Sequence, residues 1–509
     1  MYDYIIIGAG SAGCVLANRL SEDPDVNVLI LEAGGPDDTE MIHTPMRLIE
    51  LWETEYDWGY YTIPQAGCNG RKLHWPRGKT LGGSSSLNGM IYVRGHWSDY
   101  NAWAYEGNVG WDFQSILPYF KKSENFESGR DEFHGSGGLL NVISDYPRHP
   151  VTQAIVDACV AVGHPFTDDC NGEQMMGANF NQLNIKNGRR HSTAVAFLHP
   201  ALARDNCEGL TRARVHRLLF EGRTCVGVEY EHGGQMHTAK VSREVIVAAG
   251  TIESPKILMM SGIGDKDHLG EFDIPVVHHL PGVGQNLHDH LLSPVIYSAR
   301  QPVPPPLEGL QPLHGQLFAK TDPRRVGPDL QPLFFHVPVY NPDMSGPADG
   351  YTLYAGIVRP TSRGSLKLTG NSVDDPLAID PQLLSTEYDL EAMVTCLKLC
   401  RQIGESSKLD VWRDEELYPG KAVVSDADLA EYARQTAVTY HHQVGTCKMG
   451  IDAMAVVDPS LKVHGVQGLR VVDASIMPSV VSGNTNAPVI MIAEKAADMI
   501  KGLGAATQA

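Results

Sequence analysis

No stretch of this 509-residue chain stays apolar for the ~20 residues that a membrane-crossing helix needs. The longest apolar runs, such as Tyr4 to Ile7 and Val245 to Ala249, have the length of strands. Basic residues are the scarcer sign: 41 Lys and Arg face 60 Asp and Glu, a net charge of −19. That balance disfavours nucleic acid and anionic membrane surfaces as partners and leaves small neutral or cationic molecules open. Cysteine is sparse too, nine residues in no metal-like spacing, with Cys396 and Cys400 four apart on a predicted helix. Neither a disulfide framework nor a metal site is expected from them. Internal repeats and low-complexity tracts are missing. Tyr2 and Asp3 lead into a strand with no basic segment or small-residue cleavage site before it, so a cytoplasmic location is expected. What remains is the composition of a globular protein, 42% apolar and 20% charged. Its length exceeds one ordinary core and predicts two domains.

The first residues carry the sharpest local pattern. An unbroken apolar run ends at Gly8-Ala-Gly10-Ser-Ala-Gly13, and Val15, Leu16, Arg19 and Leu20 follow at helical spacing. A strand, a glycine turn and a helix in that order bind a dinucleotide. Gly8 permits the turn, Gly10 admits a pyrophosphate, Gly13 lets helix pack on strand, and the helix N-terminus faces the phosphates. Glu32, at the end of the next apolar run, is placed for a ribose hydroxyl. This motif by itself does not choose between NAD and FAD.

Two further glycine-rich segments make that choice. Arg77-Gly-Lys-Thr-Leu-Gly82-Gly83-Ser-Ser-Ser-Leu87-Asn88-Gly89-Met90-Ile91 cannot fill a core and suits a backbone lying against a flat or charged group. It resembles the first signature of the glucose-methanol-choline oxidoreductase family, and Gly250-Thr-Ile-Glu-Ser-Pro255, continuing to Gly264, resembles the second. Pro281 to His290, Tyr440 to Gly450, Gly468 to Pro478 and Ser482 to Pro488 follow in the family's order, so the resemblance spans the chain. Within the family it is closest to the bacterial choline-dehydrogenase-like and acceptor-dependent alcohol dehydrogenase members.

The resemblance implies an α/β fold, α+β overall: a Rossmann-like FAD domain with a parallel sheet, and a substrate domain on an antiparallel sheet with helices. The FAD domain is expected from residues 1–38, 75–150, 200–295 and 440–509, the substrate domain from 39–74, 151–199 and 296–439. It places Gly82 and Gly83 along the cofactor, Asn88, Gly89, Met90 and Ile91 at the isoalloxazine, and Val215 at the adenine. Asp473 and Ala474 fall at the ribityl and pyrophosphate, and Thr485 is another cofactor contact. Some members bind FAD covalently through a histidine just before the asparagine of the first signature. Here that position is Leu87, so dissociable FAD is expected.

The implied reaction oxidises a primary alcohol to an aldehyde, the flavin taking the hydride and a protein base the hydroxyl proton. The family's base position maps to His442 and its partner to Asn484, which can hold the substrate oxygen but cannot serve as a base. His441 competes with His442. In an extended segment only one of two neighbours can face the flavin, and the spacing to Gly445 favours His442. The substrate is a small alcohol, choline being one option, and the electron acceptor is oxygen or a quinone or other carrier. Tyr440 is bulky enough to hinder oxygen. A lyase that keeps FAD structurally and a NAD-dependent dehydrogenase are the competing readings. Residues 301 to 312, with five prolines, read as a stiff connector or a lid. Phe334 and His336 are either pocket or core residues. Residues 387 to 403 read as an amphipathic scaffold helix.

Overall fold

The computed structural model describes residues 1–503; the last residues of the 440–509 segment lie outside it. Two mixed layers organise the chain around two sheets. In the first, five parallel strands run in the order Cys207–Leu210, Val28–Leu31, Tyr2–Ile7, Gln235–Val247 and Leu469–Val471. Their apolar runs are buried on both faces, which is why they read as continuous rather than alternating. The strand Gln235–Val247 serves twice. Its last residues pair in parallel with Tyr2–Ile7, while its first half pairs antiparallel with Thr224–His232, itself paired to Ala213–Glu221.

Three helices start at the carboxyl edge of this sheet. The helix Ser11–Leu20 follows the first strand, Gly250–Met260 follows Gln235–Val247, and Asn486–Ile500 packs along Ser11–Leu20. Arg19 clamps the buried carboxylate of Glu494 at 2.7 and 2.9 Å, and Ser11 Oγ donates to Asn486 Oδ1 at 2.7 Å, so the first and last helices begin side by side. A Cβ on Gly13 would lie 1.9 Å from the Gly8 carbonyl oxygen, the close helix-on-strand approach its position predicts.

The second sheet is antiparallel, in the order Arg413–Tyr418, Leu291–Ala299, Gly350–Ile357, Leu333–Phe335, Leu313–Phe318 and Gly177–Phe180. Helices Glu387–Gly404 and Pro150–Ala161 pack against it. The strand Leu291–Ala299 belongs wholly to this sheet, so a domain boundary at residue 295 falls inside a strand. The short strand Val438–Thr439 pairs with Leu291 and Leu292 and delivers the chain to Tyr440, His441 and His442 between the two sheets. All nine cysteines are buried free thiols. Among the described residues no helix is long and apolar enough to cross a membrane.

Candidate active site

A cavity of about 830 Å³ runs from the carboxyl edge of the parallel sheet to the inner face of the antiparallel one. Its first half is built from backbone. Gly8, Gly10, Glu32, Gly83, Val215, Ala474 and Thr485 line it, together with the first turns of helices Ser11–Leu20, Gly250–Met260 and Asn486–Ile500. Unpaired N–H groups at helix N-termini attract anions, and three converge here on one channel. The Glu32 carboxylate accepts from Ala9 N and Gly34 N, each at 2.8 Å, and burial pushes it up to about 7. A Cβ on Gly83 would come 2.7 Å from Gly10 Cα, whereas the Cβ direction of Gly10 meets nothing nearer than 4.0 Å. Two glycine backbones thus pinch together while the channel side of Gly10 stays clear, a cradle that fits the pyrophosphate and ribose of FAD.

Gly13 and Gly82 stand behind this wall rather than in it. Gly13 packs on Gly8, and Gly82 N donates to Ala9 O at 2.7 Å, tying the second glycine loop to the first. Asp473 lines the channel, but its carboxylate accepts from Gly250 N and Ser475 N at 2.8 Å each and from Ser254 Oγ. It fastens the Gly250–Met260 helix to the chain after Leu469–Val471. Leu87, Asn88, Gly89, Met90 and Ile91 line the middle of the cavity. Leu87 is buried beside Ile42 and Leu51.

The second half is walled by the antiparallel sheet. Leu292, Leu313, Leu333, Phe335 and Tyr354 face it. Alternation along the strand Leu333–Phe335 turns Phe334 the other way, into the main core. His336 is likewise outside the cavity, its ring stacked on His149 at 3.8 Å. Both residues are core members, because the phase of a three-residue strand cannot be read before its pairing is known.

His442 stands where the halves meet. Its backbone N–H donates to Asp289 Oδ1 at 2.8 Å, Asp289 also accepts from Thr439 Oγ1 and Gln443 Nε2, and the ring stacks on Tyr440 at 4.6 Å. His442 Nε2 lies 3.2 Å from Asn484 Nδ2, and Nδ1 lies 3.0 Å from His290 Nδ1. Burial first, then the neighbouring His290, His441 and Arg77, holds the imidazole well below its ordinary pKa, so it is neutral.

His441 lines the cavity as well, contrary to the expectation that an extended backbone would turn it away. The expectation fails because His441 is left-handed, with φ 67°, which breaks the alternation of faces. Its carbonyl accepts from Arg77 at 2.9 Å, its N–H donates to Thr439 Oγ1 at 2.8 Å, and its ring lies 5.2 Å from Trp52. Bonding rather than orientation separates the two histidines: His441 Nδ1 has no partner, while both ring nitrogens of His442 are engaged.

The sequence reading assigned no role to Asp289, His290, Arg77 or Gln331, which hold this centre. Asp289 and His290 do stand in a segment resembling the family pattern, in a His-Asp-His run. Arg77 opens the segment that resembles the first signature, and only Gln331 carries no local signal, being placed by the packing of distant segments.

A GMC oxidoreductase family model matches residues 2–292 and a second, for the C-terminal part, matches residues 360–493. The mitochondrial choline dehydrogenase of Mus musculus is 45% identical, the match covering 98% of this chain and 89% of the relative. An alcohol dehydrogenase (acceptor) of Pseudomonas putida is 41% identical over 98% of this chain and 96% of its own. The crystal structure of pyridoxine 4-oxidase from Mesorbium loti is similar with a TM-score of 0.94 and 38% identity, covering 98% of each chain. The chain belongs to the GMC oxidoreductase family, the FAD-dependent oxidoreductases acting on CH–OH donors.

Proposed function

We propose that this protein oxidises a neutral primary alcohol to the aldehyde, with His442 as the base that takes the hydroxyl proton on Nε2 and Asn484 as the donor that holds the substrate oxygen. Bound FAD supplies the hydride acceptor. The observation that carries the reading is the pair itself: a neutral imidazole nitrogen and an amide N–H 3.2 Å apart on the cavity wall. A hydroxyl placed between them donates to one and accepts from the other, which aligns its carbon for transfer. FAD is held without a covalent bond through the first signature, since Leu87 offers no nucleophile there.

The cavity wall favours an apolar or aromatic body on the alcohol. Leu292, Leu313, Leu333, Phe335 and Val339 line the half nearest His442. The carboxylates that line the cavity lie elsewhere or are engaged. Glu32 and Asp473 belong to the dinucleotide half, Glu253 accepts from Tyr60 Oη at 2.5 Å, and exposed Glu53 accepts from Tyr61 Oη. A quaternary ammonium would thus meet aromatic faces, Phe335 and Tyr354 among them, but no unengaged carboxylate beside the base.

The test is anaerobic mixing of the yellow holoprotein with a panel of primary alcohols, choline included, while flavin absorbance is followed. Apolar alcohols should bleach wild type faster than choline does, and His442→Ala should slow bleaching by ~10²–10⁴-fold, with a smaller loss in His441→Ala. Acid precipitation of the same sample should release free yellow flavin. Failure of every alcohol to bleach the flavin would turn the assignment toward a lyase with structural FAD. Peroxide formation in air would identify oxygen, rather than a quinone or carrier, as the electron acceptor.

A further inference from the structure

Three side-chain amides lie fully buried at the antiparallel sheet, where burial calls for apolar side chains: Asn179 and Gln316 on its strands and Gln331 just before one, each 0% exposed. They are joined in a single line. Asn179 Nδ2 donates to the Gly177 carbonyl at 3.2 Å, and Gln316 Nε2 donates to Asn179 Oδ1 at 2.9 Å across the paired strands. Gln331 Nε2 then donates both to Gln316 Oε1 at 2.8 Å and to Asn484 Oδ1 at 3.1 Å. Asn484 Nδ2 faces His442 Nε2, and His442 Nδ1 faces His290 Nδ1.

The polarity of this line is forced from its far end. Facing a backbone carbonyl, Asn179 must present nitrogen, so its oxygen points onward and Gln316 must answer with nitrogen. Gln331 Nε2 sits between two carbonyl oxygens; turning that amide over would set three oxygens together with no hydrogen among them. Asn484 therefore accepts at Oδ1 and has only N–H to offer His442. An imidazole nitrogen that receives a donor carries no proton, so the proton of neutral His442 resides on Nδ1 and is given to His290.

We propose that Gln331 is a positioning residue for the reaction: through Asn484 it fixes the His442 tautomer with an unprotonated Nε2, the only neutral form that can take a proton from a substrate in the cavity. The proposal rests on His442 being the base. It deepens that assignment by naming what keeps the base in its working form, as the partner of a catalytic imidazole commonly does. Without the Gln331 N–H, the Asn484 amide is free to turn and present Oδ1, which selects the Nε2–H tautomer and blocks proton acceptance.

Two variants test this. Gln331→Leu removes the donor. Gln331→Glu keeps shape and volume, but its carboxyl donates only while protonated, and burial raises the pH at which it ionises. Around the line stand His442, His290, His441, Arg77 and Asp289 on the His442 side, and Tyr440, Cys170 and Asp329 near Gln331. Tyr440 and Cys170 are raised by burial and stay neutral. In holoprotein carrying 15N-labelled histidine, with His442→Ala identifying the signals, wild type should show an unprotonated His442 Nε2 and Gln331→Leu a protonated one. Anaerobic flavin reduction should fall at least about 10-fold in Gln331→Leu, toward the ~10²–10⁴-fold worth of a base. In Gln331→Glu it should fall as pH rises, the reverse of what a histidine base alone produces. Thermal midpoints measured alongside separate these effects from unfolding. A proton on His442 Nε2 in wild type, or wild-type reduction and tautomer in Gln331→Leu, would overturn the proposal. An Nδ1–H tautomer with no alcohol able to bleach the flavin would instead remove the alcohol assignment and leave the tautomer control standing.

Discussion

His442 is fixed at its backbone by Asp289, at its face by Tyr440 and at both nitrogens by Asn484 and His290. Four supports on one small ring leave it little freedom, and their enclosure keeps it uncharged. The consequence is a pH dependence of known sign. On the proposed assignment of His442 as the base, it works when unprotonated, and burial together with His290, His441 and Arg77 lowers the pH at which it gains a proton. Flavin reduction by an alcohol should therefore stay flat as pH falls through 6.5, with its acid limb well below that value. Asn484→Asp would put a carboxylate beside the imidazole and favour the charged form, so its acid limb should move upward and its rate fall, as stopped-flow reduction at several pH values would show. An acid limb at 6.5 in wild type would mean that the base is more open to water than the structure places it. At this scale the residue types were readable in advance. His442 and Asn484 were assigned from pattern, but the turn that also brings His441 to the cavity was not, because a left-handed histidine has no composition of its own.

Among elements, the unit of strand Tyr2–Ile7, turn and helix Ser11–Leu20 is the most fully specified by local sequence. A both-faces-buried strand needs an unbroken apolar run, and the helix needs a glycine where it crosses the strand. Gly13→Ala tests that crossing. The new methyl would sit 1.9 Å from Gly8 O, backbone that cannot swing aside, so the helix must move outward and carry its N-terminus off the cofactor channel. A cost of about 1–3 kcal/mol is expected, with a lower thermal midpoint and a reduced flavin-to-protein absorbance ratio in the purified variant. Retention of full flavin content would show that the helix tolerates the shift. The substrate strands were less readable. Leu333 and Phe335 face the cavity and Phe334 does not, a phase decided by pairing with Leu313–Phe318 and Gly350–Ile357 rather than by any property of the three residues.

Across the whole molecule, burial of neutral histidines sets a cost on acid conditions. Burial pushes His96, His191 and His314 down to about 4, His290 to about 3 and His336 to about 2. In the unfolded chain these rings charge near 6.5, so between that value and their folded values the unfolded state binds more protons. The stability they contribute is present above 6.5 and lost as pH falls, each ring removing up to about 1.4 kcal/mol per pH unit inside its window. Other groups act in the opposite direction, among them Asp289, which burial raises to about 6. Glu32, pushed up to about 7, and His134, raised to about 9 by Asp169 and Glu124, favour the fold at lower pH and lose that contribution as pH rises through those values. The thermal midpoint should therefore peak near neutral pH and drop progressively toward pH 4, the buried rings, with His441 at about 3 among them, outweighing the raised groups. A midpoint flat from 7 to 4 would contradict the burial of the His149, His314 and His336 cluster.

The sequence by itself determined the dinucleotide unit and the family, and it offered His442 and Asn484 as the candidate pair, because each is written as a short contiguous pattern whose geometry is local. Only the tertiary structure decided that Gly82 braces the cofactor wall from behind, that Phe334 and His336 are core, and that a line of buried amides ends on Asn484. Those outcomes depend on segments brought together from residues 177, 316, 331, 442 and 484, and no local periodicity records which side chains meet when distant strands pair.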